Sequence, residues 1–158
     1  MKRSLALLLP LLLLFLSTLA CNRNDKIAQN TTGMQPNDTN ATSNRLKIKV
    51  GSSTFRATLL SNATVTAFKK QLPLTLSMQE LNGTEQFGQL PVELPTNAAN
   101  PGTIQTGDLM LYGSNTLVLF YETFRTSYSY TTLGRIDNPA GLANALGAGN
   151  VTVTFEME

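Results

Sequence analysis

The sequence predicts a mainly β domain, an antiparallel β-barrel with two short α-helices, over residues 45–158. Three observations lead to this fold class. Several short segments alternate apolar and polar residues, which is the pattern of strands that bury one face. Tight turns rich in glycine, serine and asparagine separate these segments. Only two segments repeat apolar residues at helical spacing. A closed or nearly closed barrel of about six to eight strands is expected, because closure removes exposed strand edges.

The domain opens with a predicted hairpin. Residues 45–50 alternate apolar side chains with basic ones, and Gly51-Ser52-Ser53 is the turn into a second strand over 54–60. Ser61 and Asn62 then offer capping side chains, and apolar residues recur three and four positions apart as far as Leu72. The first helix is therefore predicted over 63–72.

The middle of the domain reads as a meander of strands. Residues 74–81 alternate, and Asn82-Gly83 is a strong signal for a tight turn into another strand. Three prolines between Leu90 and Gly102 indicate a long surface connection. The polar and aromatic stretch 122–130 is predicted as a second connection. Further strands are predicted at 107–112, 116–121 and 131–136.

The last two elements have clear local signals. Asn138 suits the N-cap of a helix, Pro139 suits its first position, and Gly147 suits its end. Residues 151–155 alternate valine and phenylalanine with threonine, which predicts a terminal strand with one buried face.

The N-terminus has the features of an export signal. A short basic start precedes the apolar segment Leu5–Leu16, which is too short for the roughly 20 residues that a membrane span needs. Small residues then lead to Cys21, an arrangement that resembles a bacterial lipoprotein box, although Thr18 stands where such boxes usually have leucine. We predict a signal peptide over 1–20 and lipid attachment at Cys21. The alternative is ordinary cleavage after Ala20, which leaves a free thiol.

Residues 21–44 form the predicted link between this anchor and the domain. Asn, Thr, Asp, Gln and Ser dominate the segment, and such a composition buries too little apolar surface to order itself. The sequence therefore predicts an exported protein that a lipid holds at a membrane of the bacterial cell envelope, with a flexible tether before its domain.

Composition excludes several classes of function. Removal of Lys2 and Arg3 leaves ten basic and ten acidic residues, so the mature chain lacks the basic footprint of a nucleic-acid-binding protein. The chain has no histidine and one cysteine, so Ser-His-Asp and Cys-His nucleophile arrangements and His- or Cys-ligated zinc sites are impossible. The sequence indicates neither a metal nor a cofactor.

Several short strings resemble the cyclophilin fold. Leu133-Gly134-Arg135-Ile136 is similar to the Phe-Gly-Arg-Val strand of that fold, and Leu117–Tyr121 resembles the strand that carries a pocket phenylalanine, here Phe120. Gly107-Asp108-Leu109-Met110 resembles its Gly-Asp turn. The resemblance covers residues 45–158 and is closest to the compact prokaryotic cyclophilin-like domains. It implies a cyclophilin-like antiparallel barrel.

The departures from this resemblance concern catalysis. Prolyl isomerases of the fold carry an Arg, a Phe and a Gln on the strands after the first helix, and a Trp and a His close the pocket. Residues 74–94 of this chain contain no arginine, and the chain has neither Trp nor His. Phe87 and Gln89 are the residues that match. The resemblance therefore assigns no catalytic residue.

An aromatic cluster supplies the candidate binding surface. Half of the aromatic residues of the domain fall in the segment from Phe120 to Tyr130, with Arg125 among them. Alternation would direct Phe120 inward and Tyr121 outward. Isolated acidic residues, including Glu85 and Asp108, are interpreted as solvated surface or turn residues. The candidate ligand-binding residues are Phe87, Gln89, Phe120, Tyr121, Arg125, Tyr128, Tyr130 and Arg135.

Three functions remain open from the sequence. The first is a non-catalytic module that binds a peptide, a small molecule or an envelope protein. The second is a prolyl isomerase with a rearranged site, to which Arg125 or Arg135 would contribute the missing guanidinium. The third is a structural accessory lipoprotein without a small ligand.

Overall fold

A computed structural model of the chain describes residues 43–147 and 149–158. The predicted signal peptide (1–20), Cys21 and nearly all of the predicted tether lie outside the described residues. Ser43 and Asn44 belong to the described part, and the Asn44 carbonyl accepts a hydrogen bond of 2.8 Å from the Leu59 amide. No helix among the described residues is both long enough and apolar enough to cross a membrane.

Ten strands and two helices make up the described residues. The first half contains β1 (Arg45–Val50), β2 (Ser53–Leu59), α1 (Ala63–Lys69), β3 (Leu74–Leu81), β4 (Glu85–Gln89) and β5 (Thr103–Ile104). The second half contains β6 (Asp108–Tyr112), β7 (Thr116–Phe120), β8 (Phe124–Arg125), β9 (Thr131–Ile136), α2 (Leu142–Leu146) and β10 (Val151–Met157).

Eight of these strands close into a barrel. Its strand order is β1-β10-β3-β4-β7-β6-β9-β2, and every neighbouring pair is antiparallel. The predicted fold class, a mainly β antiparallel barrel with two short helices, is confirmed. Strands β5 and β8 form a separate two-stranded sheet. Because β8 lies within 122–130, the prediction of a plain connection there is wrong.

The barrel interior holds one large apolar cluster. Alternation on β1 places Leu46, Ile48 and Val50 in this cluster, while Phe68 of α1 packs its ring edge against Phe155 of β10, with centroids 6.2 Å apart. Both helices bury two or three residues each against the strands. The apolar faces predicted from the sequence are the surfaces that make this core.

A second apolar cluster lies on the outer face of the barrel. Strands β6 and β7 are buried on both faces, because their alternate residues belong to different clusters. Tyr121 belongs to the interior cluster and Phe120 to the outer one. The expectation that Phe120 points inward and Tyr121 outward is therefore wrong. The two-stranded sheet covers the outer face and buries Phe120 there, while Tyr121 is buried in the interior. Ile104, Met110, Val118, Phe120 and Tyr130 form the outer cluster, with Phe87 and Phe124 packed against it.

The helices are shorter than predicted. Helix α1 begins after Asn62, whose side chain accepts a 2.8 Å hydrogen bond from the Val65 amide, but it ends at Lys69 rather than Leu72. Helix α2 begins after Gly141, a left-handed residue with φ 80°, and not at Pro139. Asn138 instead accepts a hydrogen bond of 3.1 Å from the Ala140 amide, which closes a local turn before the helix.

Candidate ligand-binding site

Strand β4 divides its side chains between the two faces of the barrel wall. Gln86 is fully buried, and its side-chain amide donates a 2.8 Å hydrogen bond to the Gly149 carbonyl. Because side chains alternate along a strand, Glu85, Phe87 and Gln89 lie together on the opposite face. All three of them line an open cavity.

The neighbouring strand β7 completes the floor of this cavity. Phe87 stands opposite Val118 in the antiparallel register, and Gln89 stands opposite Thr116. The Gln89 amide donates a 3.0 Å hydrogen bond to the Thr116 hydroxyl, which fixes the polar end of the floor. The apolar and polar parts of the floor therefore come from two cross-strand pairs that are neighbours on the same face of the sheet.

Aromatic side chains form much of the cavity wall. The Tyr112 ring meets the Tyr128 ring edge-on at a centroid distance of 6.2 Å and meets Tyr130 at 5.7 Å. Phe120 lies beneath the wall, with its ring 5.5 Å from Tyr130 and 5.8 Å from Phe124. Contacts of this geometry stabilise the arrangement beyond the burial of area alone. The β3–β4 hairpin closes another side of the cavity.

The cavity has a volume of about 560 Å³. This volume falls within the range of roughly 300–1,000 Å³ that small-molecule sites occupy. Its lining combines the aromatic rings with hydroxyl and amide groups, one carboxyl and the Arg125 guanidinium. Such a lining suits a ligand with an apolar body and a few polar groups.

Burial changes the acidity of several groups at this end of the barrel. Loss of hydration raises the pKa of Glu85 to about 7. Burial also raises the pKa of Tyr130, and the negative charge of Glu85 adds to that rise. On the interior side, burial and a hydrogen bond to Glu80 raise the pKa of Tyr121 to about 12. The Glu85 carboxyl is therefore only partly ionised near neutral pH.

The sequence profile of the Cyclophilin-like family matches residues 48–156. The chain belongs to the cyclophilin-like family. Its fold is also similar to the solution structure of a hypothetical protein from Archaeoglobus fulgidus. The two chains superpose with a TM-score of 0.56 at 23% identity, and the match covers 74% of this chain and 96% of the other. That likeness supports the fold alone. None of the curated proteins matches the chain.

Five of the eight candidate residues of this cyclophilin-like chain line the cavity. They are Phe87, Gln89, Arg125, Tyr128 and Tyr130. The other three do not line it. Phe120 is buried beneath the wall, and Tyr121 donates a 3.1 Å hydrogen bond from its hydroxyl to the Glu80 carboxylate. Arg135 lies on β9, where its Nε is 2.6 Å from the carboxylate of Asp108.

Glu85 and Tyr112 are two of the lining residues that were not among the sequence candidates. Glu85 was expected to be solvated, but it is 9% exposed, so that expectation is wrong. The sequence did contain a signal for this position. Glu85 lies two residues before Phe87 and four before Gln89, so the three side chains share one face of a strand. Tyr112 lies at the end of β6, and only the fold brings it to Tyr128 and Tyr130.

The position of Arg125 bears on the prolyl isomerase hypothesis raised by the sequence. The sequence has no arginine between Leu74 and Leu94, but β8 brings Arg125 to the same cavity as Phe87 and Gln89. Arg125 is exposed at the cavity wall and is not part of the cavity floor. Within the described residues, no three acidic, histidine or cysteine side chains come together in a way that could hold a metal ion.

Proposed function

We propose that this chain is an envelope lipoprotein whose cyclophilin-like barrel is a non-catalytic binding module. The ligand occupies the cavity on the outer face of β4 and β7. Its apolar part lies among the aromatic side chains, and Arg125 and Gln89 bind its polar groups. A peptide segment, from an envelope protein or free, and a small molecule both fit a cavity of this size and chemistry.

The cavity itself is the observation that supports this proposal. It measures about 560 Å³ and gathers five sequence-predicted candidates from two separate parts of the chain. Tyr128 is 62% exposed and Tyr112 is 47% exposed, although both are large aromatic side chains. Exposed tyrosines beside a cleft are characteristic of recognition surfaces, since each ring offers apolar contact and a polar tip.

Binding can be followed through the chain's own tyrosines. The chain has no tryptophan and four tyrosines, of which Tyr112, Tyr128 and Tyr130 line the cavity. Short acetylated peptides with an aromatic residue are titrated against the full chain while tyrosine fluorescence is recorded. Tyr128→Ala and Arg125→Ala are expected to weaken binding about tenfold. Arg56→Ala, which removes an arginine from β2 outside the cavity, is expected to leave it unchanged. Equal binding by all three variants would rule out this surface.

The lipid anchor follows from the basic start, the apolar segment and Cys21. Its test is the fractionation of cells that express the full chain. The native chain is expected to appear in the membrane fraction and to incorporate labelled fatty acid. Cys21→Ser is expected to lose the label and to leave the membrane fraction. An unlabelled native chain would contradict the anchor without affecting the binding proposal.

A second candidate function is prolyl isomerase activity, and the placement of Arg125 favours it. Catalysis must lower a barrier of about 18–20 kcal/mol to rotation about the peptide bond, and a guanidinium over an apolar floor supplies electrostatic complementarity to the twisted amide. Arg125, Phe87 and Gln89 line one cavity, which is the combination that such a site requires.

A protease-coupled assay with proline peptides separates this function from simple binding. An isomerase would accelerate the exchange above its uncatalysed rate, and Arg125→Ala would abolish the acceleration. Arg56→Ala, with its guanidinium removed outside the cavity, would leave the acceleration intact. No acceleration by the native chain would eliminate the isomerase and leave the binding module in place.

A further inference from the structure

The Glu85 side chain is largely buried in the cavity wall, and its carboxyl group, which opens onto the cavity, has no partner in the described part of the chain. Glu85 is 9% exposed and lines the cavity. Among residues 43–147 and 149–158, no basic nitrogen lies within 4.0 Å of its oxygens, and it makes no side-chain hydrogen bond. By contrast, Asp108, the other buried acid, has both an arginine and a backbone amide as partners.

An unpaired buried carboxylate destabilises a protein unless something compensates its charge. Burial raises the pKa of Glu85, and within residues 43–147 and 149–158 no ion pair offsets the lost hydration. Arg125 lines the same cavity but makes no ion pair with Glu85 in the described residues. A cation supplied by a ligand is therefore the group that would satisfy this carboxylate.

The surroundings of Glu85 also favour a cation. Glu85 and Tyr130 line the same cavity, and the charge of Glu85 raises the pKa of Tyr130. Phe87, Phe124 and the other two cavity tyrosines offer further ring faces. Aromatic faces attract ammonium groups, and the attraction grows when the site excludes water. A carboxylate among aromatic rings is thus a suitable receptor for an ammonium group with an apolar body.

The other charged groups near Glu85 come from the elements packed around it. Glu80 on β3 and Glu122 after β7 act together with Glu85 on Tyr121, so three carboxyls share this end of the barrel. Their combined field is negative, and it adds to the attraction of a cation. The charged and titratable groups that line the cavity with Glu85 are Arg125, Tyr112, Tyr128 and Tyr130, while Glu80, Glu122 and Tyr121 lie at the same end of the barrel without lining the cavity.

We infer that the cavity recognises an amine, whose ammonium group pairs with the Glu85 carboxylate while its apolar body packs among the aromatic rings. The inference rests on the proposed binding function and specifies the class of ligand. A lysine side chain of a peptide and a free arylalkylamine share this chemistry. Binding an ammonium group requires ionised Glu85, so it releases a proton at neutral pH and weakens in acid.

Three probes of nearly equal shape test the inference on the full chain. Phenethylammonium carries the cation, 2-phenylethanol is its neutral counterpart, and phenylacetate carries a negative charge. Tyrosine fluorescence reports their binding at about pH 8.5, where Glu85 is ionised, and at about pH 5.5, where it is protonated. Glu85→Gln removes the charge with little change in shape. Glu93→Gln removes an exposed carboxylate outside the cavity and serves as the matched control.

The expected result is a preference for phenethylammonium over 2-phenylethanol of roughly tenfold or more at the higher pH. Glu85→Gln and the lower pH should both abolish the preference, while Glu93→Gln should retain it. Equal affinity of the native chain for the two probes at the higher pH would overturn the amine inference and leave the binding function standing. Failure of every probe to bind would contradict both the amine inference and the proposed binding function. If Glu85→Gln did not fold, the pH series of the native chain would decide the question.

Discussion

The Nε atom of Arg135 lies 2.6 Å from Oδ1 of Asp108, joining β9 to the start of β6. The Asp108 side chain is 4% exposed, whereas that of Arg135 is 56% exposed. Oδ2 of Asp108 also accepts a 2.8 Å hydrogen bond from the Gln105 amide. Asp108 therefore forms the turn that the sequence predicts, but it is buried and not solvated. Arg135, expected to bind ligand, has a structural partner instead.

Removal of Asp108 is predicted to destabilise the fold more than removal of Arg135. Asp108→Ala leaves a backbone amide without its acceptor and should lower the free energy of unfolding by about 2–3 kcal/mol. Arg135→Ala leaves the buried Asp108 carboxylate with only the Gln105 amide as a partner, but the guanidinium that it removes is mostly exposed, so the loss should be smaller, about 1–2 kcal/mol. Urea denaturation of the two single variants and the double variant measures the loss in the free energy of unfolding that each substitution causes. Equal losses from the two single variants would contradict this assignment.

Gly134 is predicted to tolerate no side chain. A Cβ at this position of β9 would lie 2.4 Å from the Thr58 carbonyl oxygen and 2.9 Å from the Leu59 Cα, both of them backbone atoms of β2. Gly134→Ala should therefore force the two strands apart and cost about 2 kcal/mol or more. Gly149→Ala, where a Cβ would meet nothing within 4 Å, is the matched control. Thermal unfolding of both variants checks the difference, and equal midpoints would contradict it.

Glu85 is predicted to make the unliganded protein less stable as the pH rises. Its folded pKa of about 7 lies above the ordinary value of 4.5, so the folded state binds more protons than the unfolded state between these values. Stability from this group is therefore greatest at low pH and falls as the pH passes through that window, by about 1–3 kcal/mol. Other carboxyl groups also titrate in this pH window. The comparison with Glu85→Gln therefore isolates the contribution of Glu85 to the change in stability.

The measurement is urea denaturation of both proteins at about pH 5 and about pH 8.5. Glu85→Gln is expected to match the native chain in acid and to exceed it in stability at the higher pH. If the native chain had a higher free energy of unfolding than Glu85→Gln at the higher pH, the Glu85 carboxylate would have a stabilising partner.

The outer cluster is predicted to depend on Phe120. The ring is fully buried between Phe124 and Tyr130, so Phe120→Ala opens a cavity and should cost about 3–5 kcal/mol. Phe124 is only partly buried, and its truncation should cost less. Both variants should also weaken ligand binding, because each removes support from the cavity wall. Calorimetric unfolding gives the order of the two losses, and the reverse order would contradict this view of the cluster.

Local sequence patterns determined most of the barrel. Strand alternation located β1, β3 and β9, and the Asn82-Gly83 turn and the Asn62 cap formed as predicted. These features depend on residues close in sequence, so local physical chemistry is sufficient to predict them. The family resemblance and the fold class followed from the same elements in the same order.

Long-range packing decided the rest. Strands β5 and β8, with Tyr130, pack over the outer face, and this buries β6 and β7 on both sides, so that Phe120 is buried on the outer face. A period of two cannot reveal which face a later segment will cover. The same packing brings Tyr112 and Arg125 to the cavity and leaves Arg135 with Asp108.

The sequence by itself thus determined most strands of the barrel, its turns, the family and five of the residues that line the cavity. Only the tertiary structure decided that Glu85 is a buried carboxyl among aromatic rings, since burial depends on which distant segments cover a residue. The physical reason is that hydrogen-bonded local structure is encoded by near neighbours, whereas desolvation and charge pairing are set by contacts across the whole fold.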